Sequence, residues 1–223
     1  MQIDFTTRLA EEYFRGWLPR SSDETQEWNA LEGEMYRQAD LILVTTDLVR
    51  ASVINHYGTS SSKVATVGMG AHLEELSQDF MKQQSRVLVF AGHDFDRHGG
   101  QLALEIFQAV RRLVPDASLR VLSNRMVDAP GVENLGVIPK AQLAEVLKGA
   151  SVLLMPAFVG GYQTVTEAMA AKCVCATASG NPHLHGVIEN GETGLAFPRS
   201  EPRVAAQQIV QYLLEPARLR MVG

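Results

Sequence analysis

Val87-Leu88-Val89-Phe90-Ala91-Gly92-His93-Asp94-Phe95-Asp96-Arg97-His98-Gly99-Gly100 runs from a short apolar stretch straight into a polar loop that ends in glycine. Its first five residues carry the signature of a strand buried on both faces. Beyond the loop, Ala103, Ile106, Phe107, Val110, Leu113 and Val114 recur at helical spacing and predict a single apolar face. Pro115-Asp116-Ala117 then turns the chain into a second apolar run, Leu119-Arg120-Val121-Leu122. Strand, helix and strand joined this tightly predict parallel pairing.

The alternation extends in both directions. Downstream it predicts a short strand near Leu135, a helix carrying Leu143, Val146 and Leu147, and the strand Val152-Leu153-Leu154-Met155. A helix over 164–171, a strand over 174–177 and a helix over 202–214 follow. Upstream, residues 24–37 predict a helix with Trp28, Leu31 and Met35 on its apolar face. Residues 39–45 predict a buried strand, and Thr46 or Asp47 caps a helix that ends at Tyr57-Gly58. Lys63-Val64-Ala65-Thr66-Val67 predicts another strand, followed by a polar helical stretch from about Leu73 to Gln84.

Strands alternating with amphipathic helices specify the α/β class, with Rossmann-like parallel sheets covered on both faces. The weak periodicity of 68–85 marks the expected seam between two domains, residues 1–80 and 81–223. Gly68-Met69-Gly70 imitates the start of a dinucleotide fingerprint, but Leu73 stands where the third glycine belongs, so a hinge is the simpler reading.

Composition narrows the function. Apolar residues make up 46% of the 223, charged residues 20%, and the formal charge is −5, which argues against binding nucleic acid through its phosphates. An anionic ligand therefore needs local cations or backbone amides. Cys173 and Cys175 lie in a small, apolar run and read as two reduced core thiols, which suits the cytoplasm. The opening residues lack a signal-peptide pattern, and no apolar run is long enough to span a membrane.

In open α/β sheets ligands bind beyond the carboxyl ends of the strands. The loop 92–100 could offer backbone amides and Arg97 to a phosphate, or be a plain connection. His93, Asp94, Asp96 and His98 raise the question of a metal, as do His183 and His185, but their spacing matches no zinc signature. Glu167 is the lone carboxylate of the apolar helix Thr164-Val165-Thr166-Glu167-Ala168-Met169-Ala170-Ala171. It either complements the helix dipole or accepts hydrogen bonds from sugar hydroxyls.

Taken in order, four segments resemble the retaining glycosyltransferases of family 4, which have two Rossmann-like domains of the GT-B type. They are the 90–100 loop, Leu135-Gly136-Val137-Ile138-Pro139 with Leu143, Glu167-Ala168-Met169-Ala170-Ala171, and Gly191-Glu192-Thr193-Gly194-Leu195-Ala196-Phe197-Pro198. The resemblance covers the chain from about residue 24. It implies transfer of a sugar from a nucleotide-sugar donor to a glycan, lipid or small-molecule acceptor, with retained anomeric configuration and without metal or other cofactor. Peripheral membrane contact by the full-length protein would be compatible with it.

Residue by residue, it implies Arg97 and Glu167 as the catalytic pair, Glu167 receiving the ribose hydroxyls. Gly92, His93, His98 and Gly99 would lie by the donor diphosphate, and Val137, Ile138 and Leu143 by the base. Thr164 and Val165 would offer helix-terminal amides to phosphate. The chain also departs from the family. Histidine stands at 93 and 98, where arginine and lysine are usual, and no acid occurs near Val159, where the family's first glutamate belongs. Those cations would stabilise a leaving diphosphate, whereas a neutral imidazole brings little charge. Less than half of an N-terminal acceptor domain precedes residue 81, and the family's closing helices would extend past 223. The expectation is a fragment with a donor site by descent, weak nucleotide-sugar binding and no turnover. A non-catalytic binding or scaffolding module and a GT-B nucleotide-sugar epimerase are the alternatives.

Overall fold

Among the described residues every strand pairing is parallel. The computed structural model describes residues 1–13, 21–71, 85–158 and 160–215. The helix expected from Leu73 to Gln84 and the position of Val159 lie outside them. Two compact units emerge, residues 1–69 with 182–186, and residues 70–181 with 187–223.

In the first unit, β1 (Gln2–Ile3), β2 (Ile42–Val44) and β3 (Val64–Thr66) form a sheet in that order. Its helices are α1 (Thr7–Tyr13), α2 (Ser22–Gln38) and α3 (Asp47–Tyr57). Thr46 caps α3 by accepting from the Val49 amide at 3.3 Å, and Gly58 ends it at φ 66°, as the sequence predicts. The α2 start is fixed by a capping box in which Ser21 and Glu24 satisfy one another's amides. β1 and α1 have no counterpart in the sequence reading.

The predicted apolar face of α2 is corrected. Trp28, Leu31 and Met35 are 44%, 57% and 52% exposed, while Thr25, Asn29 and Tyr36 are buried. Polar bonds turned the helix this way. Tyr57 Oη reaches Asn29 Oδ1 at 3.0 Å and also bonds Glu32, and Glu32 Oε2 accepts the Thr7 amide at 3.0 Å. Asn29 Nδ2 donates to Glu11 at 3.0 Å. Three helices are thus tied through one cluster beside the core of Leu9, Tyr36, Ile42, Val44, Val49, Val53 and Val64. His183 lies in a short 3-10 turn of this unit with its ring stacked on Phe5 at 4.3 Å. Burial pushes it below the ordinary imidazole range, against the pull of Asp4.

The second unit holds β4 (Val87–Ala91), α4 (Gly100–Leu113), β5 (Ser118–Leu122), β6 (Val132–Asn134), α5 (Lys140–Lys148), β7 (Val152–Met155), α6 (Tyr162–Ala170), β8 (Val174–Ala178), β9 (Leu195–Phe197) and α7 (Pro202–Leu214). The strand order is β6-β5-β4-β7-β8-β9. Alternation sorts the side chains. Leu88, Phe90, Val152, Leu154, Val174 and Ala176 join one core with Ile106, Phe107 and Val110 of α4 and Ile209 and Leu213 of α7. The register partners Leu153 and Cys175 point to the other face, where the Cys175 thiol lies 3.6 Å from the Val165 carbonyl of α6. Both cysteines are buried, unbridged thiols. Leu113, expected on the apolar face of α4, is exposed. Ten residues beyond Ala103, a rotation of about 100° per residue carries it off that face, and Val114 is buried in its place.

Burial first, and the Glu32 hydrogen bond second, raise the Tyr57 phenol far above its usual range; burial also raises Tyr36. Above pH ~10 the unfolded phenols lose protons that the folded ones keep, so stability is full below ~10 and falls as pH rises. Tyr57→Phe should cost about 1–3 kcal/mol at neutral pH and flatten that alkaline decline. Urea unfolding from pH 7 to 11 measures both; an unchanged midpoint would show that the cluster is solvated and adds nothing.

Candidate functional site

The sheet order fixes where a ligand can enter. From β4 the chain moves outward through β5 and β6; from β7 it moves the other way through β8 and β9. The loops leaving β4 and β7 therefore diverge, opening a crevice at the carboxyl ends of those strands. A cavity of about 350 Å³ lies there, with Gly92, His93 and His98 of the first loop, Gly136, Val137 and Ile138 after β6, and Gly161 after β7 in its wall. Lys140 and Leu143 of α5 and Gln163, Thr164 and Glu167 of α6 complete the polar and apolar sides.

The 92–99 loop is tightly bonded to itself. His98 donates its amide to the Asp94 carbonyl at 3.0 Å, and its ring Nδ1 lies 2.7 Å from that oxygen. A carbonyl only accepts, so Nδ1 carries the proton and Nε2 of the neutral ring holds a lone pair. Asp94 Oδ1 accepts the Arg97 amide at 3.1 Å, and Asp96 pairs with Arg125 at 2.9 Å. Phe95 is buried beneath the loop, edge-on to Phe90 at 5.6 Å. Gly92 is required by close approach, since a Cβ there would sit 2.5 Å from His98 Cβ. Asp94 and Asp96 are thus held by partners in or beside the loop. Among the described residues no group of three or more His, Cys, Asp or Glu side chains could hold a metal ion.

The candidate residues divide. Gly92, His93, His98, Val137, Ile138, Leu143, Thr164 and Glu167 share the cavity wall; Arg97, Gly99 and Val165 are not in it. Arg97 is exposed, and Gly99 is the left-handed residue before α4. Val165 needs correction because α6 starts at Tyr162, two residues before the predicted start. Its amide is the first to bond within the helix, to Gly161 at 2.8 Å, and its side chain is fully buried. The amides that precede any intrahelical bond are those of Tyr162, Gln163 and Thr164.

Glu167 is not a helix-dipole acid. It is the sixth residue of α6, whose first turn has no acidic side chain. The side chain is 4% exposed and lies in the cavity wall, with Oε1 3.4 Å from Lys140 Nζ. That contact has ion-pair range but not hydrogen-bond geometry, and Oε1 makes no hydrogen bond. A buried polar atom left so costs about 1–3 kcal/mol, more than a half-exposed ion pair of about 0–1 kcal/mol returns. The arrangement is therefore suited to hydroxyl donors from a ligand.

Three wall or support residues lay outside the sequence reading. Lys140 and Gln163 are cavity residues, and Asn181 is a buried brace that donates to the Ala157 and Gly160 carbonyls at 3.0 and 3.2 Å. The start of α6 at a glycine signalled Gln163; Asn181 had no local signal.

A family profile described as glycosyl transferases group 1 matches residues 85–215, more than half of the chain. A D-inositol 3-phosphate glycosyltransferase of Corynebacterium glutamicum is 24% identical, over 91% of this chain and 56% of that protein. The chain thus spans about 56% of the length of that curated relative. Among solved structures, Anabaena HepE in complex with UDP and glucose superposes with a TM-score of 0.72 at 11% identity, covering 99% of this chain and 63% of that one. Sucrose-phosphate synthase from Thermosynechococcus elongatus gives 0.71 at 16% identity, covering 99% and 59%. The parallel α/β fold is of the GT-B type.

Gly161 closes the cavity at φ 86°, and a Cβ there would meet Met155 Cγ at 3.3 Å. Gly161→Ala should lose about 1–2 kcal/mol from the left-handed backbone alone. Urea unfolding tests this; a loss no greater than a few tenths would mean that the turn relaxes freely.

Proposed function

We propose that this chain, which belongs to the group 1 glycosyl transferases, binds a nucleotide-sugar donor in the cavity of its second unit. The longer protein it would form part of transfers the sugar, with retention and without metal as in family 4, to a glycan, lipid or small-molecule acceptor. The observation that carries the reading is Glu167, a buried carboxylate with an oxygen lacking any hydrogen bond, set in the wall of a cavity at the strand-order reversal.

The chemistry follows from the wall. Ribose hydroxyls donate to Glu167, and the base lies against Val137, Ile138 and Leu143. The diphosphate faces the opening turn of α6, whose amides and dipole favour an anion. His98 completes that end. In its neutral form Nε2 accepts, so only the imidazolium donates to a phosphate oxygen. Transfer breaks the bond between the anomeric carbon and the diphosphate oxygen, and cations are most useful where that negative charge develops. Here the loop after β4 brings imidazoles at 93 and 98 to the cavity wall, and Arg97 is not in it. That favours a second reading as well, a donor-binding module without turnover.

Isothermal titration of the full chain with uridine, guanosine and adenosine diphosphates tests the binding. One of them should bind, with unchanged affinity in a chelator, and Glu167→Gln should weaken it about tenfold. No binding tighter than ~10 mM for any of the three would overturn the reading. Donor hydrolysis gained by His93→Arg with His98→Lys would favour the transferase over the module.

A further inference from the structure

Lys140 is the first residue of α5, a position where a cation opposes the helix dipole. No acid in that turn offsets it, and Pro139 provides no side-chain cap. Helix stability therefore gives no reason for a lysine here. Its side chain is 52% exposed but reaches inward, so that Nζ lies 3.4 Å from the buried Glu167 carboxylate. Since Oε1 has no hydrogen bond, the lysine supplies charge to the carboxylate while leaving that oxygen's lone pairs for other donors.

Among the described residues of the cavity wall, Lys140 and Glu167 are the two with a fixed charge at neutral pH. Arg97 is not in the wall, and Arg125 is held by Asp96 at 2.9 Å and laid over the Phe95 ring at 5.1 Å. The wall is therefore neutral with Lys140 and singly negative without it. A carboxylate that recognises hydroxyls would, alone, repel the diphosphate attached to the same ribose.

We infer that Lys140 is a donor-site residue that offsets Glu167 and so admits a nucleoside diphosphate. It takes over, from the start of α5, the cationic part that the histidine-bearing loop plays weakly. The inference rests on the donor-site reading above and assigns the selectivity of that site for charged over uncharged nucleosides.

The test compares Lys140→Gln and Lys140→Arg with the wild-type full chain, using the tightest-binding nucleoside diphosphate and its parent nucleoside. At pH 8, Lys140→Gln should weaken the diphosphate roughly tenfold or more and move the nucleoside less than about twofold. Lys140→Arg should keep the diphosphate within about threefold of wild type. Equal losses for both ligands, or unchanged or tighter diphosphate binding, would overturn the inference. If Glu167→Gln weakens the nucleoside while Lys140→Gln spares the diphosphate, the donor site stands and Lys140 alone is wrong. If the wild type binds no nucleoside diphosphate, both readings fall.

Discussion

The divergence of the chain at β4 and β7 is the constraint on which the second unit depends. Two neighbouring parallel strands whose crossovers leave in opposite directions cannot have their exit loops close over one another. A crevice remains, and its walls are set by whatever the sequence places just after each strand. After β4 stands a loop folded on itself around Asp94 and Phe95; after β7, a left-handed glycine leads into α6. The rest of the sheet holds this opening in place. α4 and α7 pack on one face through Ile106, Phe107 and Ile209, and α6 meets the other through Val165 and Cys175.

Packing and recognition make competing demands on the first loop. Phe95 is drawn into the core, which leaves Gly92 so close to His98 that no side chain fits. The same closeness brings the His98 ring onto the Asp94 carbonyl and thereby fixes which nitrogen carries its proton. A histidine free of that carbonyl could offer either tautomer to a ligand. Held this way, it offers a lone pair when neutral and a donor only when charged.

Much of this was legible in the sequence. Short apolar runs located β2, β4, β5 and β7, and helical spacing located α3 and α4, because those elements bury apolar residues. α2 was misread because its buried stripe is Thr25, Asn29 and Tyr36, with Asn29 held by the distant Tyr57 and Glu11. No local window contains those partners, and a pattern of Trp28, Leu31 and Met35 then points the wrong way. At the site, Glu167 stood out as a lone acid among apolar neighbours, but the helix start was placed two residues late. That error made Val165 an amide donor to phosphate, when its amide is already bonded to Gly161. Lys140 went unread because its partner lies on another helix, 27 positions away (167 − 140).

The placement of Glu167 on α6 also gives the site a scale. Gln163, Thr164 and Glu167 all line the cavity, and four residues of helix advance about 6 Å along the axis while returning to nearly the same face. One face thus presents the anion-favouring opening turn at one end and a carboxylate about 6 Å further on. A ligand complementary to that face has negative charge at one end and hydroxyl donors a few ångströms away. The proposed donor has this order of groups, diphosphate and then ribose. A helix that carried the acid in its first turn would bring both demands to one point, where the carboxylate would compete with the phosphate for the same amides. Moving the acid to the second turn separates them.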